Sequence, residues 1–113
     1  MPNINAVQGR AQLFTGTGVN DNDLVLTTPN VQIYSSFTLM TTAGAADVEV
    51  TLDGITWATA PLALEDMGAT TNTTYVLVTV ALRVYQFRGK FTQVRVRQNG
   101  VTAATAHLIA GIE

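Results

Sequence analysis

The chain has no cysteine, so neither a disulfide framework nor a thiolate metal site is available to it. That fits a protein made in a reducing cytosol. Charge is scarce as well: only 12% of the 113 residues are Asp, Glu, Lys or Arg, against about 25% in an ordinary soluble domain. No apolar run approaches the ~18 residues that cross a bilayer. The opening "MPNINAVQGRAQ" has no basic segment leading into an apolar one, as a signal peptide would. A membrane partner is therefore not expected. One histidine and one tryptophan leave few side chains on which to build reaction chemistry, and no cofactor is expected.

What is present is apolar and β-branched. Hydrophobic residues make up 47%, and the sequence holds 18 threonines. Threonine suits a pleated, half-exposed strand while its hydroxyl satisfies water. At this length one domain is expected, burying roughly two-thirds of its unfolded surface. A surface kept neutral in this way is poorly protected against association, so burial in an assembly is the expectation.

The hydrophobic period is two. In "DVEVTL", Val48, Val50 and Leu52 share one face and Asp47, Glu49 and Thr51 the other. In "TYVLVTVAL", Val76, Val78, Val80 and Leu82 alternate with Tyr75, Leu77, Thr79 and Ala81; both faces are largely apolar, which predicts a strand covered on both sides. In "FTQVRVRQ", Val94 and Val96 oppose Phe91, Gln93, Arg95 and Arg97. Further strands are expected at about 10–16, 31–41, 60–66, 84–88 and 101–110. Asn99-Gly100 between alternating runs predicts a two-residue hairpin, because a type I′ turn needs positive φ at both central positions. Asp53-Gly54 reads likewise, and Arg88-Gly89-Lys90 predicts another tight reversal. No segment reads as a helix; "PLALEDMG" offers one turn at most. The expected fold is all-β, a single-domain antiparallel β-sandwich or small jelly roll over residues 9–113. Residues 1–8 stand as an N-terminal arm or a loose end.

Candidate chemistry is thin. His107 sits in the strand-like "TAATAHLIAG" with no acid near it in sequence, and a general base needs an orienting partner. Glu65 and Asp66 are adjacent, so on a strand they point to opposite faces and do not flank one bond. "NDND" at 20–23 lacks the glycine and distal glutamate of a calcium loop, and "GTG" at 16–18 has no following Lys-Thr or Lys-Ser. Asn72-Thr73-Thr74 matches a glycosylation sequon without a secretion signal. An enzyme is not expected.

The charge pattern is more informative. Residues 11–67 hold seven acids and no base, whereas 68–112 hold five bases (Arg83, Arg88, Lys90, Arg95, Arg97) and no acid. Three explanations stand open. The halves lie side by side in one sandwich, so that Arg95 and Arg97 meet Asp47 and Glu49; or one subunit's basic face meets another's acidic face or an acidic shell beneath; or the basic stretch binds nucleic acid. The net charge of −2 and the lack of a nucleic-acid-binding motif speak against the last.

"VEVTLDGITW" and "YQFRGKFTQVRV" together carry a likeness. Residues 47–111 resemble small structural proteins of tailed-bacteriophage virions, in which a V-x-V-S/T-x-D-G-x-x-W hairpin leads into a basic Y-x-F-R-G-x-F-x-x-V-R-V strand pair. Capsid decoration (cement) proteins fit best among them. The resemblance implies a non-enzymatic, usually trimeric β-domain on the capsid exterior, assembled in the host cytoplasm, whose partners are itself and the major capsid protein. Alternatives are another phage part (tail, collar or fibre domain) or a carbohydrate-binding β-sandwich. On this reading Arg83, Arg88, Lys90, Arg95 and Arg97 are interface candidates. Trp57 and Tyr85 serve either as core residues or as interface anchors.

Overall fold

The computed structural model describes residues 11–112; the arm expected at 1–8 lies outside them. Alternation becomes nine strands among these residues, with no helix: β1 (Ala11–Thr17), β2 (Leu24–Thr27), β3 (Ser36–Ala43), β4 (Ala46–Thr51), β5 (Leu64–Asp66), β6 (Tyr75–Val76), β7 (Val84–Arg88), β8 (Gln93–Gln98) and β9 (Thr105–Gly111). Every pairing is antiparallel. The larger sheet runs β1-β9-β3-β7-β5-β6 and the smaller β2-β8-β4. Together they make the expected all-β sandwich of jelly-roll type.

Inward-facing residues of both sheets form one core. Phe37 and Leu39 of β3, Tyr85 and Phe87 of β7 and Leu108 of β9 meet Val48 of β4 and Val94 and Val96 of β8, all of them buried. Phe37 and Phe87 stack at 4.9 Å, and Phe91 tilts against both. Such ring pairs contribute ~0.5–1.5 kcal/mol beyond their buried area. Gly16 lets β1 cross β2 where the sheets approach; a Cβ there would strike the Val25 carbonyl.

Three expectations need correction. Asn99-Gly100 is not a hairpin: β8 and β9 lie in different sheets, so residues 99–104 carry the chain from one to the other. Gly100 keeps its positive φ of 105°, while the fully buried Gln98 bolts the corner, donating to the Gly100 carbonyl at 3.0 Å and accepting from the Ala104 amide at 3.1 Å. Arg88-Gly89-Lys90 is likewise a corner between sheets, β7 to β8. The third correction is the strand at 75–82, which stops at Val76. Thr79 turns inward instead, exchanging hydrogen bonds with Ala46 (its amide to the Ala46 carbonyl, 2.8 Å; the Ala46 amide to its hydroxyl, 3.0 Å). A turn from Val80 to Arg83 follows.

Candidate functional site

The outer face of the smaller sheet gathers the charges. Register places Asp47 opposite Arg97 and Glu49 opposite Arg95. Glu49 Oε1 accepts from Arg95 Nε at 2.7 Å and from Arg97 Nε at 3.3 Å, and Arg97 Nη1 also donates to the Asn22 carbonyl at 2.7 Å. Both acids are buried although they face outward, and the long arginine stems explain the cover. Burial pushes the Asp47 carboxyl above its usual range, against the Asn99 side-chain amide that donates to Oδ2 at 3.3 Å. Asp47 Oδ1 has no partner among the described residues. For Arg95 and Arg97, the intrachain explanation of the charge segregation is therefore realised.

Beside this face, the Asp-Gly-x-x-Trp sequence builds a loop. Thr51 and Trp57 form an antiparallel bridge across residues 52–56. Asp53 Oδ1 accepts the Thr56 amide at 2.6 Å and the Ile55 amide at 2.8 Å, and these bonds hold its carboxyl far below the usual range. Gly54 supplies the positive φ of 79°. The loop presents Trp57 beneath the Arg95 guanidinium, 4.4 Å from its ring centre. An open groove of about 460 Å³ runs alongside, lined by Val50, Leu52, Thr56, Trp57, Ala58 and Phe91, with Asp53 at its rim.

The other sequence candidates do not join this cluster. Arg83 donates twice to Asp66 Oδ2, at 2.7 and 3.1 Å, which with the Gly68 amide lowers the Asp66 carboxyl. Arg88 ends β7 on the larger sheet, and Lys90 Nζ reaches the Gln32 carbonyl at 3.3 Å. Tyr85, offered as an interface anchor, is 1% exposed; β7 turns its ring into the core, and its hydroxyl accepts from the Val80 amide at 2.9 Å. His107 lies on the outer face of the larger sheet, where its Nδ1 sits 3.1 Å from the Thr15 hydroxyl.

One surface escaped the sequence reading. Because 77–82 is not a strand, its apolar side chains are not buried: Leu77 is 52%, Val80 60% and Leu82 73% exposed, with Met67 and Val84 also outside. The missed signal was Thr79, the one polar residue on a face of that run with a hydroxyl able to bond backbone.

No family model matches the chain, and no curated protein matches it in sequence. Solved structures match it in fold. It is similar to the SPBc2 prophage-derived protein YomS, with a TM-score of 0.67 over 89% of this chain and 93% of that one, at 11% identity. Oxalate oxidase matches with a TM-score of 0.50 at 11% identity, over 90% of this chain but 42% of that one. The architecture is a cupin-like jelly roll shared with a prophage protein. At such identities the likeness is one of fold.

Proposed function

We propose that this chain is a non-enzymatic bacteriophage virion protein that decorates the capsid exterior and braces the shell through contacts with itself, as a homotrimer, and with the major capsid protein. The observation that carries the reading is the outer surface. Fifteen large hydrophobic side chains between Leu13 and Ile112 stand 39–85% exposed, on a chain whose charge is scarce and, at Arg83, Arg95 and Arg97, already paired. Around 77–84 they adjoin one another, Val80 and Leu82 in one turn and Met67 bonded through its backbone to Val84, and a contiguous apolar patch of this kind commonly marks an interaction site. The virion-like motifs at 48–57 and 85–96, and the fold shared along nearly its whole length with a prophage-derived protein, support the phage assignment.

The test is direct. Capsids from a phage lacking the gene are incubated with the purified protein, pelleted and imaged. Saturable binding at fixed symmetry positions, with a higher temperature for shell opening, is the expected result. Folded protein that stays in the supernatant overturns the reading.

A further inference from the structure

We infer that the notch where the larger sheet narrows, between Leu62, Glu65, Tyr75, Gln86 and Arg88, binds a single neutral sugar ring. It shares no residue with the charged face or the apolar surface described above, and it does not depend on the capsid reading.

The notch follows from the way the chain changes sheets. The Leu62 amide donates to the Val48 carbonyl of the smaller sheet at 2.7 Å, while Leu64, two residues on, is paired with Val76 in the larger. Leu64 is fully buried and fixes the step. β5 therefore joins β7 late. It lies against Tyr85 and Gln86 and leaves Phe87 and Arg88 without a strand on that side among the described residues. β6, next in the sheet, is only two residues long. What remains is an open-sided hollow of about 200 Å³. Pockets for drug-sized ligands hold ~300–1,000 Å³, so this one takes one small ring.

Register decides what lines it. Glu65 stands opposite Tyr75 on one side and opposite Gln86 on the other, and residues directly opposed across strands share a face. Phenol, carboxylate and amide thus form one row. Arg88, two residues beyond Gln86 on β7, belongs to the same face.

The bonding of these groups selects the ligand. Glu65 is half-buried, and its carboxylate has no hydrogen bond or ion pair among the described residues. Gln86 Nε2 donates to the Ser36 hydroxyl at 3.3 Å, which leaves Oε1 to accept. An anion in the hollow meets Glu65, and a cation meets Arg88. An apolar ligand takes water from these polar groups and returns no bond. A neutral polyol satisfies them all: its hydroxyls donate to Glu65 and to Gln86 Oε1, and accept from a guanidinium. Tyr75 adds the preference for a ring. It stands 64% exposed at the side of the hollow, and the electron-rich face of a phenol suits the C–H face of a pyranose. A small zwitterion such as glycine answers both charges too, yet leaves Tyr75 unused.

The test is titration of isotope-labelled protein with glucose, galactose and N-acetylglucosamine, followed through amide chemical shifts. At least one sugar is expected to shift the Tyr75, Gln86 and Arg88 amides saturably, with a dissociation constant on the order of 1 mM, as the few contacts of one ring allow. Tyr75→Ala and Glu65→Gln should each weaken that binding at least about tenfold, while Tyr75→Phe, which keeps the ring, should bind nearly as wild type does. If circular dichroism shows Tyr75→Ala unfolded, Tyr75→Thr, a better strand former, takes its place. No saturable shift from any of the three sugars by ~100 mM, glycine that binds more tightly than all of them, or Tyr75→Ala and Glu65→Gln that bind like wild type overturns the inference. Sugar binding by a protein that ignores capsids keeps this site and removes the structural-subunit reading; capsid binding by a protein that ignores sugars does the reverse.

Discussion

Glu49 holds two guanidinium groups on one carboxylate oxygen, and both arginines are largely covered. Glu49→Ala leaves two shielded cations without their acceptor, so a loss of about 2 kcal/mol is expected in urea denaturation. Glu49→Gln, which keeps an acceptor, should cost less. Gly100 gives a different kind of prediction. Nothing lies within 4 Å of where its Cβ would stand, so Gly100→Val should cost about 1 kcal/mol or more through the positive φ alone. An unchanged melting temperature would refute this. That Arg95 and Arg97 face the acids of "DVEV" was legible in the sequence, because period two puts Asp47 and Glu49 on one face of a strand and Arg95 and Arg97 on one face of another; that both would pair with Glu49 and leave Asp47 to Asn99 was not. The direction of Tyr85 was not, since an aromatic between Val84 and Gln86 reads equally well as core or anchor. Nothing in the sequence marks Leu82, with its φ of 65°, for a left-handed turn, a place that glycine or asparagine usually takes.

The element level is where turn chemistry misled. Asn99-Gly100 and Arg88-Gly89-Lys90 both reverse the chain locally, but a tight turn does not say whether the next strand joins the same sheet or the facing one. The burial of Gln98 and the packing of Phe37 on Phe87 and Phe91 set that choice, and both come from the tertiary fold rather than from the turn itself. β2 went unread because only five residues stand between the turn at 20–23 and Pro29, four of them in the strand. The 52–57 loop was legible in outline from Asp53-Gly54, and its acid behaviour follows from its bonds. Asp53 titrates lower in the fold than its ordinary 3.8. A depressed folded pKa means that the stabilisation is complete above that ordinary value and is lost as pH falls below it. Trp57 closes the same loop and is the only tryptophan, so its fluorescence should report the loop loosening in that acid range. Asp53→Asn should remove the pH step, with the looser loop already present at neutral pH.

For the whole molecule, composition and period were enough to read an all-β sandwich, because 18 threonines and alternating valines have no other economical packing. The division into six and three strands was not readable. It depends on β9 pairing with β1 and β3 at once, across most of the chain's length. That topology has a kinetic consequence. Contacts between distant parts of the chain must form before the larger sheet is continuous, so refolding is expected in milliseconds to seconds rather than microseconds. Stopped-flow Trp57 fluorescence measures it, and a microsecond phase carrying the full amplitude would contradict it.

In the larger sheet Ala11 lies directly opposite Gly111, and Gly111 is in turn opposite Ser36 at the start of β3. The 77–82 edge hangs from Thr41, toward the other end of that strand. A passenger fused to either end of the sandwich is therefore delivered to one shared corner, and that corner is several residues along β3 from the apolar edge. For anyone wishing to hang a label or a foreign domain on this sandwich, Ala11 and Gly111 amount to the same address.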